Sequence, residues 1–115
     1  MNINDAVRLV CLSFPEAEEK ESHSMGSFKV RGKTFASYAI NHHGDGRVAL
    51  WLDAPAGSQA WHTQMVPETY FVPPYVGSKG WLGVKLNRNL GWDRIAQRVQ
   101  EAYEQVAPAE LVKAQ

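Results

Sequence analysis

The chain has 115 residues, 44% of them hydrophobic, and its 12 basic and 12 acidic residues give a formal net charge of zero at pH 7. This size and composition predict one globular domain over residues 1–115 and exclude a disordered chain. The balanced charge creates no overall field that would attract nucleic acid or a membrane. Any nucleic-acid role therefore needs a local basic surface.

The single cysteine, Cys11, excludes an internal disulfide and suits a reducing compartment. The opening MNINDAVRLV carries Asp5 and no basic residue ahead of its apolar run, unlike a signal peptide. No apolar run approaches the roughly 18 residues that a membrane span requires. We therefore expect a cytoplasmic protein that has no membrane partner.

The first predicted element is a helix capped by Asn2 or Asn4, which should stop at Phe14-Pro15 because proline disfavours helical angles in the residue before it. Residues 16–21 follow, with four glutamates and one lysine. Their charge predicts a solvated acidic linker.

From Ser27 the apolar residues recur with a period of two, which predicts three antiparallel strands joined by short turns. Strands are expected from Ser27, over 34–41 and over 47–53, with turns at Gly32 and at 44–46. Trp51 points away from the apolar row of the third strand. Either a second layer covers that side, the favoured reading, or the sheet offers an apolar binding surface there.

A helix is predicted over 56–65, two strands over 69–72 and 81–86, and an amphipathic helix over 92–106. Beyond Pro108 the tail should fray or add a turn. The resulting class is α+β, with a five-stranded antiparallel sheet and the order α-β-β-β-α-β-β-α. Trp61 and Trp92 are expected to be partly buried anchors on their helices, and Trp81 to brace the preceding loop against the core.

Two segments resemble the MmcQ/YjbR family of small bacterial proteins. They are SFKVRGKTFASY, residues 27–38, and TYFVPPYVGSKGWLGVKL, residues 69–86, with its aromatic strand, Pro-Tyr-Gly loop and Gly-Trp entry into the last strand. The resemblance implies the same element order, in a sandwich related to secretion-chaperone-like and frataxin-like folds. It also implies DNA binding through a double wing of two exposed loops.

The candidate nucleic-acid-binding set combines cations with one aromatic side chain: Lys29, Arg31, Lys33, Tyr75, Lys79, Lys85 and Arg88. Residues 41–46 and 73–80 would form the two wings. If the two basic segments meet on one face, they can contact phosphates and release counterions. The alternative is that these charges only keep the strand faces soluble and protect the sheet edges.

No motif predicts catalysis, a cofactor or a metal site. Cys11 falls in an apolar stripe and is expected to be a buried hydrophobe. His42 and His43 are consecutive at a strand end and should point to opposite faces. His62 has no obvious partner on its helix, and His23 is either a pH-sensitive loop contact or simply exposed.

Two hypotheses follow for a non-enzymatic protein that is a monomer or a weak dimer. The first is a DNA-binding or regulatory accessory protein that reads shape and backbone charge. The second is a protein–protein adaptor or chaperone-like module, in which the sheet face around Trp51 and the Tyr75 loop receive a partner chain.

Overall fold

The computed structural model describes residues 2–22, 25–88 and 90–115, so His23 lies outside the described residues. The helices are α1 (Ile3–Cys11), α2 (Ser58–Met65), α3 (Trp92–Val106) and α4 (Ala109–Lys113). The strands are β1 (Glu18–Ser22), β2 (Met25–Val30), β3 (Lys33–Ile40), β4 (Val48–Leu52), β5 (Tyr70–Phe71) and β6 (Leu82–Lys85). In these ranges no helix has the length and apolar character needed to cross a membrane.

All six strands form one antiparallel sheet in the order β1-β2-β3-β4-β6-β5. The α+β class with helices packed on an antiparallel sheet is confirmed. The predicted count of five strands is wrong, because the segment expected to be an acidic linker contains β1. The predicted element order is also wrong. Because of β1, four strands rather than three separate α1 from α2, and the tail, expected to fray or add a turn, forms the short helix α4 after α3.

The strand missing from the prediction, β1, is hard to recognise in the sequence because it lies at the sheet edge and carries charged residues. Its backbone pairs with β2 from Glu18, opposite Lys29, to Ser22, opposite Met25. Glu19 lies on the side of the sheet where α1 packs, and its carboxylate accepts from Arg8 Nε at 2.9 Å. Charge on an edge strand discourages pairing with other chains, so no apolar alternation marks this strand.

The main core lies between the sheet and the helices, on the face that we call the helix side. Its buried members come from α1, α3 and α4 and from the strands, and they include Val7, Cys11, Phe28, Val30, Phe35, Leu50, Leu52, Leu82, Val84, Ile95, Val99, Tyr103 and Leu111. Tyr103 is fully buried, and its hydroxyl donates to the Pro15 carbonyl at 2.8 Å. The ring of Phe14 stacks on Tyr103 with 4.9 Å between centroids, so this aromatic pair anchors the chain where it leaves α1.

The opposite face, which we call the loop side, has a smaller core formed by Ala39, Ala49, Trp51 and Phe71. Val76 and Trp81 pack against this cluster from the segment that joins β5 to β6. Trp51 is only 3% exposed. The expectation that a second layer covers Trp51 is therefore confirmed, and so is the bracing role of Trp81.

Gly83 allows Phe71 to lie flat on the sheet. The two residues are paired across β5 and β6, and a Cβ on Gly83 would lie 2.5 Å from Cζ of Phe71. The guanidinium of Arg47 lies over the same ring, 4.0 Å from its centroid. Phe71 thus contacts both a glycine backbone and a cation.

We predict that Gly83→Ala destabilises the protein by about 1–3 kcal/mol, because the added methyl group must displace the Phe71 ring. Urea unfolding followed by circular dichroism measures the change. Gly26→Ala is the matched control, since the nearest atoms to its Cβ lie at 3.7 and 3.8 Å, an ordinary contact. Equal effects of the two substitutions would refute the close approach at Gly83.

Candidate functional site

The two segments predicted to be separate wings meet on the loop side of the sheet. His43 Nε2 and the Tyr75 hydroxyl are 3.0 Å apart, which is a hydrogen bond between the loops. The ring of His42 lies edge-on to Trp51, with 4.9 Å between centroids, and 5.9 Å from Tyr75. Together these contacts form a junction of two histidines and two aromatic rings at the end of β4.

The prediction that His42 and His43 point to opposite faces is wrong. β3 ends at Ile40, and the chain then enters a 3-10 turn, His42–Gly44. Asn41 and His43 both have a φ of 49°, in the left-handed region. As a result the two imidazole rings are 4.2 Å apart between centroids. Across the described ranges, no three His, Cys, Asp or Glu side chains are grouped as a metal site requires.

Tyr75 occupies a strained backbone position. Its φ is 66°, and the Val76 amide donates to the Pro74 carbonyl at 2.7 Å. A hydrogen bond between residues i and i+2 around a positive φ is the rare form of γ-turn, which is disfavoured for a bulky residue. The side chain of Tyr75 is nevertheless 71% exposed. Strain that presents an exposed aromatic ring is typical of functional sites.

Three of the predicted cations belong to the loop side. Lys29 alternates with Phe28 and Val30, which are both buried in the helix-side core, and Lys85 pairs with Ala49 of the loop-side core. Lys79 is exposed at the end of the 3-10 turn Gly77–Lys79. In the part of the chain that the structure describes, none of these lysines forms an ion pair.

Asp53, at the end of β4, lies close enough to Lys79 for their charges to interact. Partial burial raises the pKa of Asp53, and the hydrogen bond from the Ala54 amide and the Lys79 ammonium group oppose that rise. One carboxylate therefore offsets part of the positive potential around Lys79.

Arg31 is engaged by carboxylates. Its Nε and Nη2 donate to the two carboxylate oxygens of Glu16 at 2.7 and 2.9 Å, and its Nη1 lies 3.5 Å from Glu110 of α4. The hydrogen bond from Arg31 lowers the pKa of Glu16. The structure thus pairs Arg31 with acids on the helix side. Lys33 is exposed at the first residue of β3, and Arg88 is exposed after the end of β6.

His62 has partners that its sequence neighbours do not reveal. It is buried, and its Nδ1 donates to the Ser58 carbonyl at 2.8 Å, while its Nε2 accepts from Arg98 Nη1. The Ser58 contact has the i, i+4 spacing of a helix and could have been anticipated. Arg98 is 36 positions away in the chain, so only the packing of α3 beside α2 reveals it.

Cys11 is fully buried, as expected, and burial raises the pKa of its thiol to about 12. The thiolate that would act as a nucleophile is therefore scarce at neutral pH.

We predict that Cys11 of the folded protein reacts with a thiol reagent such as DTNB orders of magnitude more slowly than in urea, because reaction requires unfolding or local opening. Absorbance of the released product measures the rate. Rapid reaction of the native protein would contradict the burial of this thiol.

We predict that Tyr75→Gly is more stable than Tyr75→Ala by about 0.5–1 kcal/mol, because glycine tolerates the positive φ that alanine does not. Both variants lose the phenol and its hydrogen bond, so the difference between their free energies of unfolding reports the cost of the positive φ. Urea unfolding of the pair measures it. An alanine variant as stable as the glycine variant would argue against the strained turn.

The chain is similar to a known protein family and to a solved structure. A family model described as YjbR matches residues 12–105, which include both predicted wings. The crystal structure of Deinococcus radiodurans protein DR2400, with the domain named DUF419, is similar with a TM-score of 0.79 and 20% sequence identity. The similarity covers 99% of this chain and 85% of that one. At this identity it shows a shared fold and nothing about ligands. No curated protein matches the chain.

Proposed function

The chain belongs to the YjbR family, and on that premise we propose that the loop side of its sheet is a nucleic-acid interface that reads shape and backbone charge rather than base sequence. The contact between the two loops at His43 and Tyr75 is the observation that carries the proposal. It joins the two loops on the side of the sheet that also carries Lys29, Lys79 and Lys85. Such a combination suits phosphate contacts together with base stacking.

The lysines support the proposal because none of them is held in an ion pair in the described ranges, although Glu18 lies opposite Lys29 and Asp53 lies near Lys79. Lys29, Lys79 and Lys85 have no ion-pair partner among the described residues, whereas each described ion pair engages an arginine. Tyr75 supplies the stacking surface, and Lys33 and Arg88 would contact phosphates farther along a longer strand. Arg31 would have to leave Glu16 first, so we assign it no direct contact.

The small number of free cations sets the expected strength of binding. With about three phosphates neutralised, the logarithm of the binding constant should fall with the logarithm of the salt concentration with a slope of about −2.7 for duplex DNA. Affinity would then drop roughly 40-fold between 50 and 200 mM salt. We expect weak binding of a non-enzymatic, cytoplasmic accessory protein that acts as a monomer or a weak dimer.

We predict that Lys79→Gln makes the slope of log binding constant against log salt less steep by about 1, whereas Arg31→Gln leaves that slope unchanged. Of these two residues, Arg31 is held by Glu16 and Glu110, and Lys79 is free to neutralise a phosphate. Fluorescence anisotropy of labelled duplex and single-stranded DNA at 50–200 mM salt measures the affinities. Both substitutions remove one positive charge, so the Arg31 variant controls for net charge.

Absence of binding near 50 mM salt, at protein concentrations approaching the ~10⁻⁴ M typical of non-specific complexes, would overturn the proposal. Equal losses in the two variants would also count against it, since they would indicate a response to total charge rather than to this surface.

The second candidate function is a protein–protein adaptor, in line with the secretion-chaperone-like architecture that the family resemblance implies. Burial of Trp51 under the chain's own loop removes the sheet face that this hypothesis first invoked. The exposed loop residues Val72 and Tyr75 still favour the adaptor hypothesis. They are 55% and 71% exposed and lie near each other in one loop, where a partner protein could bind them. Failure of the DNA titration would leave this exposed tip as the preferred partner site.

A further inference from the structure

A cavity of about 470 Å³ lies between α2 and α3 on the helix side of the sheet, on the opposite face from the two loops. Trp61, His62 and Tyr70 line one wall, and Arg94, Gln97 and Arg98 line the other. This volume is within the range of sites that bind small molecules. The nucleic-acid proposal does not use this cavity.

Arg94 and Arg98 are the positively charged residues that line the cavity, and their surroundings differ. Arg98 is held in place, because its Nη1 donates to His62 Nε2 and its Nε lies 3.1 Å from Glu101 Oε1. That Nε is buried and lacks the angle of a hydrogen bond to Glu101, so the pair is an ion pair only. Arg94 is exposed and has no ion-pair partner in residues 2–22, 25–88 and 90–115.

The two arginines are at positions i and i+4 of one helix, where like charges repel and destabilise the helix. Glu101 offsets part of this repulsion through its ion pair with Arg98, and a bound anion would relieve the remainder. Tyr70 lies close by, since the positive charges of Arg98 and Arg94 oppose the rise that burial causes in the pKa of its phenol. Tyr70 also lines the cavity, so its phenol shares this space with both arginines.

Asp93 lines the cavity as well, but its carboxylate belongs to the start of α3. Its Oδ1 lies 2.8 Å from the position that a Cβ on Gly91 would occupy, in the first turn of the helix. An acidic side chain in the first turn is favourable for the helix dipole. Among the lining residues, Asp93 therefore offsets part of the positive charge, and Arg94 and Arg98 outnumber it.

Apolar side chains complete the lining of the cavity. Trp61, expected to be a partly buried anchor, is 58% exposed, and Val66 and Leu90 line the same cavity. The indole lies next to His62, with 4.9 Å between ring centroids, and offers a flat surface for an aromatic ring to stack on. Cationic groups and an aromatic surface in one cavity define the kind of molecule that fits.

We propose that this cavity binds a small organic anion, with Arg94 and Arg98 holding a carboxylate or phosphate and Trp61 packing on an aromatic body. His62 is a positioning residue, because it touches Arg98 and has its other ring nitrogen bound to Ser58. This tautomer leaves Nε2 as the acceptor that fixes the orientation of the guanidinium. The recognition combines charge-assisted hydrogen bonds with stacking.

Titration of the ¹⁵N-labelled full chain with phenyl phosphate and with benzoate tests the proposal by NMR. We expect the indole signal of Trp61, identified by its loss in Trp61→Phe, to shift in a saturable way with one or both probes. The two probes distinguish a phosphate site from a carboxylate site. Benzyl alcohol, which has the ring without the charge, and inorganic phosphate, which has the charge without the ring, should each bind at least about tenfold more weakly.

Arg94→Gln should weaken binding of the preferred probe about tenfold or more. Lys113→Gln is the matched control for charge, because it removes an exposed positive charge outside the cavity and should leave the affinity unchanged. Both positions are exposed, and the dispersion of the NMR spectrum verifies that each variant is folded. No shift of Trp61 with either probe at about 10 mM would overturn the proposal. Equal affinity for inorganic phosphate and phenyl phosphate, or equal losses in the two variants, would overturn it as well.

Discussion

The contact of Phe71 with the backbone of Gly83 is the interaction on which both proposed surfaces depend. β5 has only two residues, Tyr70 and Phe71, whose side chains point to opposite faces of the sheet. Phe71 belongs to the core beneath the 72–81 segment and thus helps to present Tyr75 to solvent. Tyr70 forms part of the wall of the cavity between α2 and α3. A short edge strand held by one tight aromatic contact therefore positions residues on both sides of the molecule.

The charged residues also differ between the two sides of the sheet. Among the described residues every ion pair involves an arginine, and the pairs of Arg8 and Arg31 tie α1, β1 and α4 together at the rim of the helix side. These pairs are largely exposed and contribute little to stability individually. These ion pairs determine which positive charges remain unpaired. Arginine binds carboxylates with its planar guanidinium, and the lysines are left without such partners. In a chain of zero net charge, Lys29, Lys79 and Lys85 are thus left without a salt bridge among the described residues.

Several elements could be predicted from the sequence because their signals are local. The amphipathic stripe of α3 places the helix over the predicted residues, and Asn2 caps α1 as its position suggests. β1 could not be predicted, since a charged edge strand has no apolar alternation and is defined by its hydrogen bonds to β2. The histidine pair was misassigned for a related reason: left-handed backbone at Asn41 and His43 replaces the strand geometry on which the alternation rule depends.

The sequence by itself determined the class of fold, the family, the central strands and the basic residues available for a polyanion, because local periodicity and a characteristic motif encode them. Only the tertiary structure decided that Arg31 is engaged by Glu16, that the two loops touch at His43 and Tyr75, and that His62 meets Arg98 beside a cavity. Each of these contacts joins residues 15 to 36 positions apart. Which side chains meet over such separations depends on how strands and helices pack, and no local pattern of apolar and charged residues specifies that.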